Sequence, residues 1–319
     1  MTSTIAEATV TQAHDAGTAP VISVTGVTRR YRDQIALDNI SFDVEPGSIT
    51  GLLGRNGAGK TTLMRIIAGH EFASSGRVTI GGASPVENDA VLRQMVFLRE
   101  DQAYPDVKAV HLVHAAAKLY PDWDAELAAD LVTDFDLPLD KRIRKLSRGQ
   151  RSAVGIVIAL AARAKVTLLD EPYAGLDAVA RQLFYDRLLA DFTDHPRTVL
   201  LSTHLIDEAS PLMERVVVLD RGRLVLSASA DDLRGSAAAV SGPAIAVTEF
   251  TVGRTIWSRR RVGSKESAIV AGPLADADAA RAKALHLSLE PLSLQQVVVQ
   301  AAGQSEAPAA TTSTERTSA

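Results

Sequence analysis

The chain has 319 residues, 46% of them hydrophobic and 23% charged, with a formal net charge of −4, a composition ordinary for a globular protein with ample core. The absence of cysteine excludes disulfide frameworks and cysteine-ligated zinc or redox sites, and the slightly acidic balance argues against nucleic acid as the main partner. The longest apolar run, Ala153 to Ala162, is ended by Arg163, well short of the ~20 residues that a membrane span requires.

In chain order, residues 1–19 are rich in Thr, Ala and Ser with no apolar core, so they read as a disordered tail rather than a signal peptide. Val21 to Val27 and Ile40 to Val44 alternate like strands, and Glu45-Pro46-Gly47 forms a turn before the apolar run Ile49 to Leu53. That run enters Gly54-Arg55-Asn56-Gly57-Ala58-Gly59-Lys60-Thr61 and leaves through Thr62 to Ile67. Strand, G-x-x-x-x-G-K-T, helix is the context of a P-loop. Gly54, Asn56, Gly57 and Gly59 let the backbone curve round an anion with its N–H groups inward, and the helix start adds partial positive charge through Lys60, Thr61 and Thr62. Lys60 would reach the outer phosphates and the Thr61 hydroxyl would hold Mg²⁺. The chain is thus expected to bind a nucleoside triphosphate.

Further strands are expected at Arg77 to Ile80 and at residues 95–98, and a helical insertion from about 107 to 162, with Asp122 as the cap of a helix starting at Trp123 and Pro138 as a breaker. Val166 to Leu169, Thr198 to Leu201 and Arg215 to Leu219 repeat the strand signal with helical stretches at 179–191 and 205–213 between them, which indicates a mostly parallel sheet flanked by helices. Its chemistry should gather at the carboxyl ends of the strands. The fold expected is α/β: a P-loop NTPase core over residues 20–235 with an antiparallel β flap and the helical insertion. A small C-terminal α/β appendage follows at 236–302, then a disordered tail at 303–319.

Two acidic residues, Asp170 and Glu171, close the strand at 166–169. Downstream of a P-loop, Asp170 suits Mg²⁺ binding and Glu171 suits taking the proton of an attacking water; alone, such a pair after a strand is more often a helix cap. Leu146-Ser147-Arg148-Gly149-Gln150, by itself, is a helix start capped by Ser147, but it lies 20 residues before Asp170. The P-loop, L-S-R-G-Q, L-L-D-E-P, A-G-L-D and S-T-H occur in that order, and over about Val21 to Leu233 the chain resembles an ATP-binding-cassette (ABC) ATPase subunit.

The resemblance implies further roles. Tyr31 takes the place of the aromatic residue that stacks on adenine. Ser147, Gly149 and Gln150 match the signature motif, which in the family caps the ATP held by the other subunit. Asp177 matches a loop crossing the dimer interface, and His204 the switch histidine that hydrogen-bonds the γ-phosphate. Two departures stand out: Arg148 replaces a glycine of the signature, and the stretch after 95–98 reads Arg99-Glu100-Asp101-Gln102 where the family places a glutamine near Mg²⁺ and the nucleophilic water. Glu100 fits that position best, as a catalytic and metal-binding candidate, with Gln102 second.

The expected activity is ATP hydrolysis with Mg²⁺ by in-line attack of water; no N-K-x-D guanine-reading sequence is present. The resemblance implies two cassettes closing head to tail, as a homodimer, on a separate transmembrane permease subunit at the inner face of the cell membrane. An exporter-type transporter is favoured; a soluble cassette acting on ribosomes or DNA is the rival. His111 and His114 lack further ligands and Arg259-Arg260-Arg261 reads as a solvated face.

Overall fold

A computed structural model describes residues 21–304. The tail expected at 1–19 and residues 305–319 of the C-terminal tail lie outside the described residues, and residues 303 and 304 belong to the last helix.

Strands β1 (Ile22–Tyr31), β2 (Gln34–Val44) and β4 (Ser75–Ile80) form an antiparallel sheet in the order β2-β1-β4. Between β2 and β4 the chain passes through β3 (Ile49–Leu53) and helix α1 (Lys60–Ile67). Strand β3 sits inside a second sheet with β5 (Met95–Leu98), β6 (Val166–Asp170), β7 (Thr198–Thr203), β8 (Arg215–Asp220) and β9 (Arg223–Ser229), ordered β5-β6-β7-β3-β8-β9. All pairs are parallel except β8–β9. Both faces of the central strands are covered, which is why they read as continuous apolar runs. On β3 the alternation divides two cores: Ile49 and Leu53 face one, Leu52 the other. Leu52 packs with the three-stranded flap and with Leu63, Met64 and Ile67 of α1, so the P-loop helix is wedged between the sheets.

The helical segment runs through α2 (Ala109–Leu119), α3 (Ala125–Asp134) and α4 (Arg148–Ala161). The helix after Tyr120 starts two residues later than the sequence suggests, because Asp124 rather than Asp122 caps it, its Oδ1 accepting from Leu127 N at 2.8 Å. Helix α5 (Ala178–Asp194) then crosses back over the sheet. Its buried Asp191 is held between Arg163 at 3.2 Å and Arg197 at 2.6 Å.

Beyond residue 236 an antiparallel sheet of β10 (Ala237–Pro243), β11 (Ile256–Val262), β12 (Lys265–Ala271) and β13 (Ser288–Pro291), ordered β11-β12-β10-β13, carries helices α6 (Ala244–Phe250) and α7 (Asp276–Ala284). It has a small core of its own, with Val240, Val247, Phe250 and Val270. The final helix α8 (Leu294–Gln304) departs from this picture. Leu294, Val297 and Val298 are buried in the main core with Leu212, Val216, Leu226 and Leu233, so the end of the appendage packs on the cassette. Among the described residues, no helix is long and apolar enough to cross a membrane.

Candidate nucleotide site

Strands β6, β7 and β3 are neighbours and run the same way, so the loops that leave their carboxyl ends meet. Those loops carry Asp170 and Glu171, His204, and the P-loop. Two glycines of the P-loop are dictated by space and conformation. Gly54 has φ 153° and a Cβ there would lie 2.4 Å from Leu219 O; Gly59 has φ 104° and a Cβ would lie 2.9 Å from Ala36 O. Asn56 and Gly57 are exposed beyond them. Gly59 is also the N-cap of α1 and supplies no side-chain acceptor, which leaves the first-turn amides of Lys60, Thr61 and Thr62 to an anion.

The Lys60 ammonium is buried, donates to Gly54 O at 2.7 Å and lies 3.6 Å from Glu171 Oε1. Glu171 stands in the left-handed region, φ 47°, which turns the chain out of β6 while its N–H still donates to Ser202 O at 3.1 Å. Its other carboxylate oxygen, Oε2, meets His204 Nδ1 at 2.8 Å and accepts from the Tyr173 hydroxyl at 2.5 Å. Tyr173 in turn contacts Thr203 Oγ1 at 2.5 Å, and that oxygen accepts from Leu205 N at 2.9 Å. Because Tyr173 has one proton and gives it to Glu171, the Thr203 hydroxyl donates to Tyr173. Burial, then the Glu171 charge, pushes the Tyr173 phenol up from its ordinary value, so it remains a donor. Tyr173 was not singled out in the sequence, and Thr203 entered only as the middle of S-T-H with no role of its own; the signals were a tyrosine two residues after Glu171 and a hydroxyl beside His204.

Asp170 is fully buried, and neither carboxylate oxygen has a hydrogen-bond partner among the described residues. Burial raises its pKa; the nearby hydroxyls of Thr61 and Ser202 oppose that shift without reaching hydrogen-bonding geometry. A buried carboxylate beside a threonine hydroxyl, with no protein partner, fits a hard cation. Among the described residues no group of three or more His, Cys, Asp or Glu is gathered to hold a metal, so an ion here would complete its shell with phosphate oxygens and water, the habit of Mg²⁺.

The remaining candidates lie outside this cluster. Tyr31 ends β1 with its hydroxyl held by Glu71 and the Arg29 guanidinium 4.5 Å over its ring, which leaves at most one face for a base. Ser147 caps α4 in a capping box: its Oγ accepts from Gln150 N at 3.0 Å, and Gln150 Oε1 accepts from Ser147 N at 3.1 Å. Gly149 lets α4 approach the loop after β6, since a Cβ would lie 2.5 Å from Gly175 O. Asp177 is exposed and caps α5 through Ala180 N at 2.9 Å. Glu100 differs from its expected setting: its carboxylate meets Arg148 Nη2 at 2.9 Å rather than the Thr61–Asp170 pair, because Arg148 is the cation within its reach. Gln102 instead accepts from Arg99 Nε at 3.3 Å. A cavity of about 710 Å³ lined by Lys165, Arg197 and Thr198 lies at the amino ends of the strands, away from this chemistry.

Residues 37–174 match the family model described as ABC transporter. The chain is 36% identical over 220 residues to the phosphonates import ATP-binding protein PhnC 1 of Natronomonas pharaonis, covering 65% of this chain and 92% of that one. It is 30% identical to the ABC transporter ATP-binding protein YtrB of Bacillus subtilis, over 62% of this chain and 68% of the relative. It is likewise 30% identical to the Nod factor export ATP-binding protein I of Cupriavidus metallidurans, over 67% and 72%. Among solved structures, an ATP-binding subunit of an ABC transporter superposes with a TM-score of 0.61 at 27% identity, over 67% of this chain and 92% of that chain.

Proposed function

The chain belongs to the ABC transporter family of ATP-binding ATPase subunits, and from that premise we propose that it drives an exporter-type membrane transporter through a separate membrane-spanning subunit. The observation that carries the chemistry is the Glu171 carboxylate, set between Lys60 and His204 at the ends of three adjacent strands. Lys60 and the first-turn amides of α1 hold the phosphates. Glu171, oriented by Tyr173, takes the proton of the attacking water. His204 gives its Nδ1–H to Glu171, and in the doubly protonated form its Nε2–H is left to the γ-phosphate. Thr61 and Asp170 would hold Mg²⁺, which neutralises charge developing on the phosphates.

Ser147 and Gln150 cap the start of α4, where the Ser147 hydroxyl still has its own proton to donate and the helix start carries partial positive charge, a setting suited to a phosphate. We assign them, with Gly149 and Asp177, to the nucleotide of a second copy, so that each ATP lies between one P-loop and the other chain's signature. Tyr31 is assigned to the adenine. Relatives named for export support the direction; relatives named for import exist too, so the cassette alone does not dictate it. The C-terminal sheet has a small core of its own on one side and packs on the cassette through Ala237, Ala239, Trp257 and Ile269, and the inner face of the cell membrane is the expected location.

Complementation tests the shared site. Lys60→Ala removes phosphate binding and Ser147→Arg blocks the signature. Each alone should be inactive, whereas a mixture should recover up to one working site per dimer, because the Lys60 variant lends its signature to the intact P-loop of the other. ATP turnover that is independent of protein concentration down to a proven monomer, with no gain on mixing, overturns the shared site. Co-purification with a polytopic membrane protein encoded beside this chain tests the transporter reading.

A further inference from the structure

The loop after β5 holds two adjacent carboxylates that point to different helices. Asp101 Oδ2 pairs with Arg65 Nη2, on the P-loop helix α1, at 2.9 Å. Glu100 Oε1 pairs with Arg148 Nη2, the first residue of the signature helix α4, at 2.9 Å. Arg99 braces the same loop through Gln102 Oε1 at 3.3 Å. Arg148 also lies against the loop after β6: a Cβ on Gly175 would come within 2.7 Å of its Cγ and 3.0 Å of its Cδ. The same loop accepts a hydrogen bond from Ser152 of α4 at Ala174 O, 2.5 Å. A guanidinium at the first position of a helix faces the positive end of the dipole, so Arg148 is favoured there only with a carboxylate beside it.

We propose that Glu100 and Asp101 are positioning residues that strap the P-loop helix to the signature helix of the same chain, with Glu100 anchoring Arg148 rather than ligating metal. This rests on the shared-site reading above. Under that reading α1 and α4 serve two different nucleotides, and the strap makes them move together, so that occupancy of one site sets the position of the other. Both partners of the Glu100–Arg148 pair are about half exposed or more, at 48% and 63%. The pair is therefore worth the modest amount of a surface ion pair, so its loss should register as a small change in rate and not as loss of the fold.

The test is steady-state ATPase of the full chain as a function of ATP and of Mg²⁺, with Glu100→Gln, Arg148→Ala, the double variant, and the charge exchange Glu100→Arg with Arg148→Glu. Thermal melts verify that each is folded. Each single variant should lower kcat by about threefold, the scale of one exposed ion pair, and reduce the cooperativity in ATP. The double variant should be no worse than either single, the exchange should recover most of the loss, and the Mg²⁺ midpoint should stay put throughout. A Mg²⁺ midpoint that moves in Glu100→Gln but not in Arg148→Ala makes Glu100 a metal ligand and overturns the strap. So do additive losses, unchanged kcat in both single variants, or an exchange that recovers nothing. If the unaltered chain shows neither ATP turnover nor concentration dependence, the shared-site reading has failed instead.

Discussion

Glu171 and His204, 33 residues apart, meet at 2.8 Å through Oε2 and Nδ1, while the other oxygen of the same carboxylate faces Lys60 at 3.6 Å. One carboxylate therefore joins the loop that would cradle phosphate to the loop that would report its presence. Glu171→Gln should leave ATP affinity within about twofold, since the P-loop amides and Lys60 remain, yet lower kcat by roughly 100-fold or more, the range lost with a general base. The variant should accumulate as an ATP-bound dimer on size exclusion. Turnover near the normal rate would remove Glu171 from the role of base.

Tyr173 offers a second test because it acts on Glu171 without being placed to touch the substrate. The relay runs from Leu205 N–H to Thr203, to Tyr173 and to Glu171 Oε2, each bond polarising the next. Tyr173→Phe keeps the ring that packs near Tyr185 and His204 and removes only the hydroxyl. Loss of that hydrogen bond to a charged group should cost about 1.5–3 kcal/mol in positioning, read as a kcat roughly 10- to 150-fold lower with KM for ATP nearly unchanged. A change in KM alone would mean the tyrosine shapes the binding site and leaves the base untouched.

A third prediction turns on the unpartnered carboxylate of Asp170. Its pKa is raised, chiefly by burial, so the folded chain binds the proton more tightly than the unfolded chain does. Stability contributed by this group therefore falls as pH climbs from the ordinary carboxylate value through the raised one, and the penalty stays constant above that. Asp170→Asn removes the buried charge with little change of shape. Without nucleotide or Mg²⁺, the variant should melt at a higher temperature than the parent near neutral pH, by about 1–3 kcal/mol of stability, while Mg²⁺-dependent hydrolysis is lost. The advantage should shrink on acidification. A lower melting temperature without ligand would mean that Asp170 already has a partner in the folded chain.

Much of this site was legible in the sequence because its backbone demands are severe. Gly54 and Gly59 stand where a Cβ would strike Leu219 O or Ala36 O, and β3, β6 and β7 are buried on both sides, so glycine at those two turns and mostly apolar strands mark the site in the sequence. Side-chain partnerships were not legible in that way. The positions of Tyr173 and Thr203, and the pairing of Glu100 with Arg148, depend on which loops the sheet order brings together. Linear spacing carries no record of that. The cap at Asp124 was missed by two residues because Asp122 offers the same chemistry nearby. The packing of α8 was missed because its apolar residues fit a helix of an independent appendage as well as one that returns to the main core.

That returning helix supplies the last prediction. Composition shifts near residue 236, and every nucleotide motif lies upstream, so a chain ending at 235 looks as though it should fold. The structure argues otherwise. Leu294, Val297 and Val298 are 2%, 2% and 4% exposed and share one core with Leu212, Val216, Leu226 and Leu233 of the cassette. Burying each such side chain contributes about 1.5–3 kcal/mol, so the three together approach the about 5–15 kcal/mol that a whole domain has in hand. The 1–235 chain should therefore be poorly soluble or melt well below the parent, with its nucleotide site intact only in the fraction that stays folded. Leu294→Ala in the full chain should cost about 2–5 kcal/mol, whereas Ile245→Ala, at an 85% exposed position on the appendage, should change stability by less than about 0.5 kcal/mol. Thermal melts of the three chains decide it: a soluble 1–235 chain with the parent's melting temperature and ATP affinity would show that α8 merely rests on the cassette.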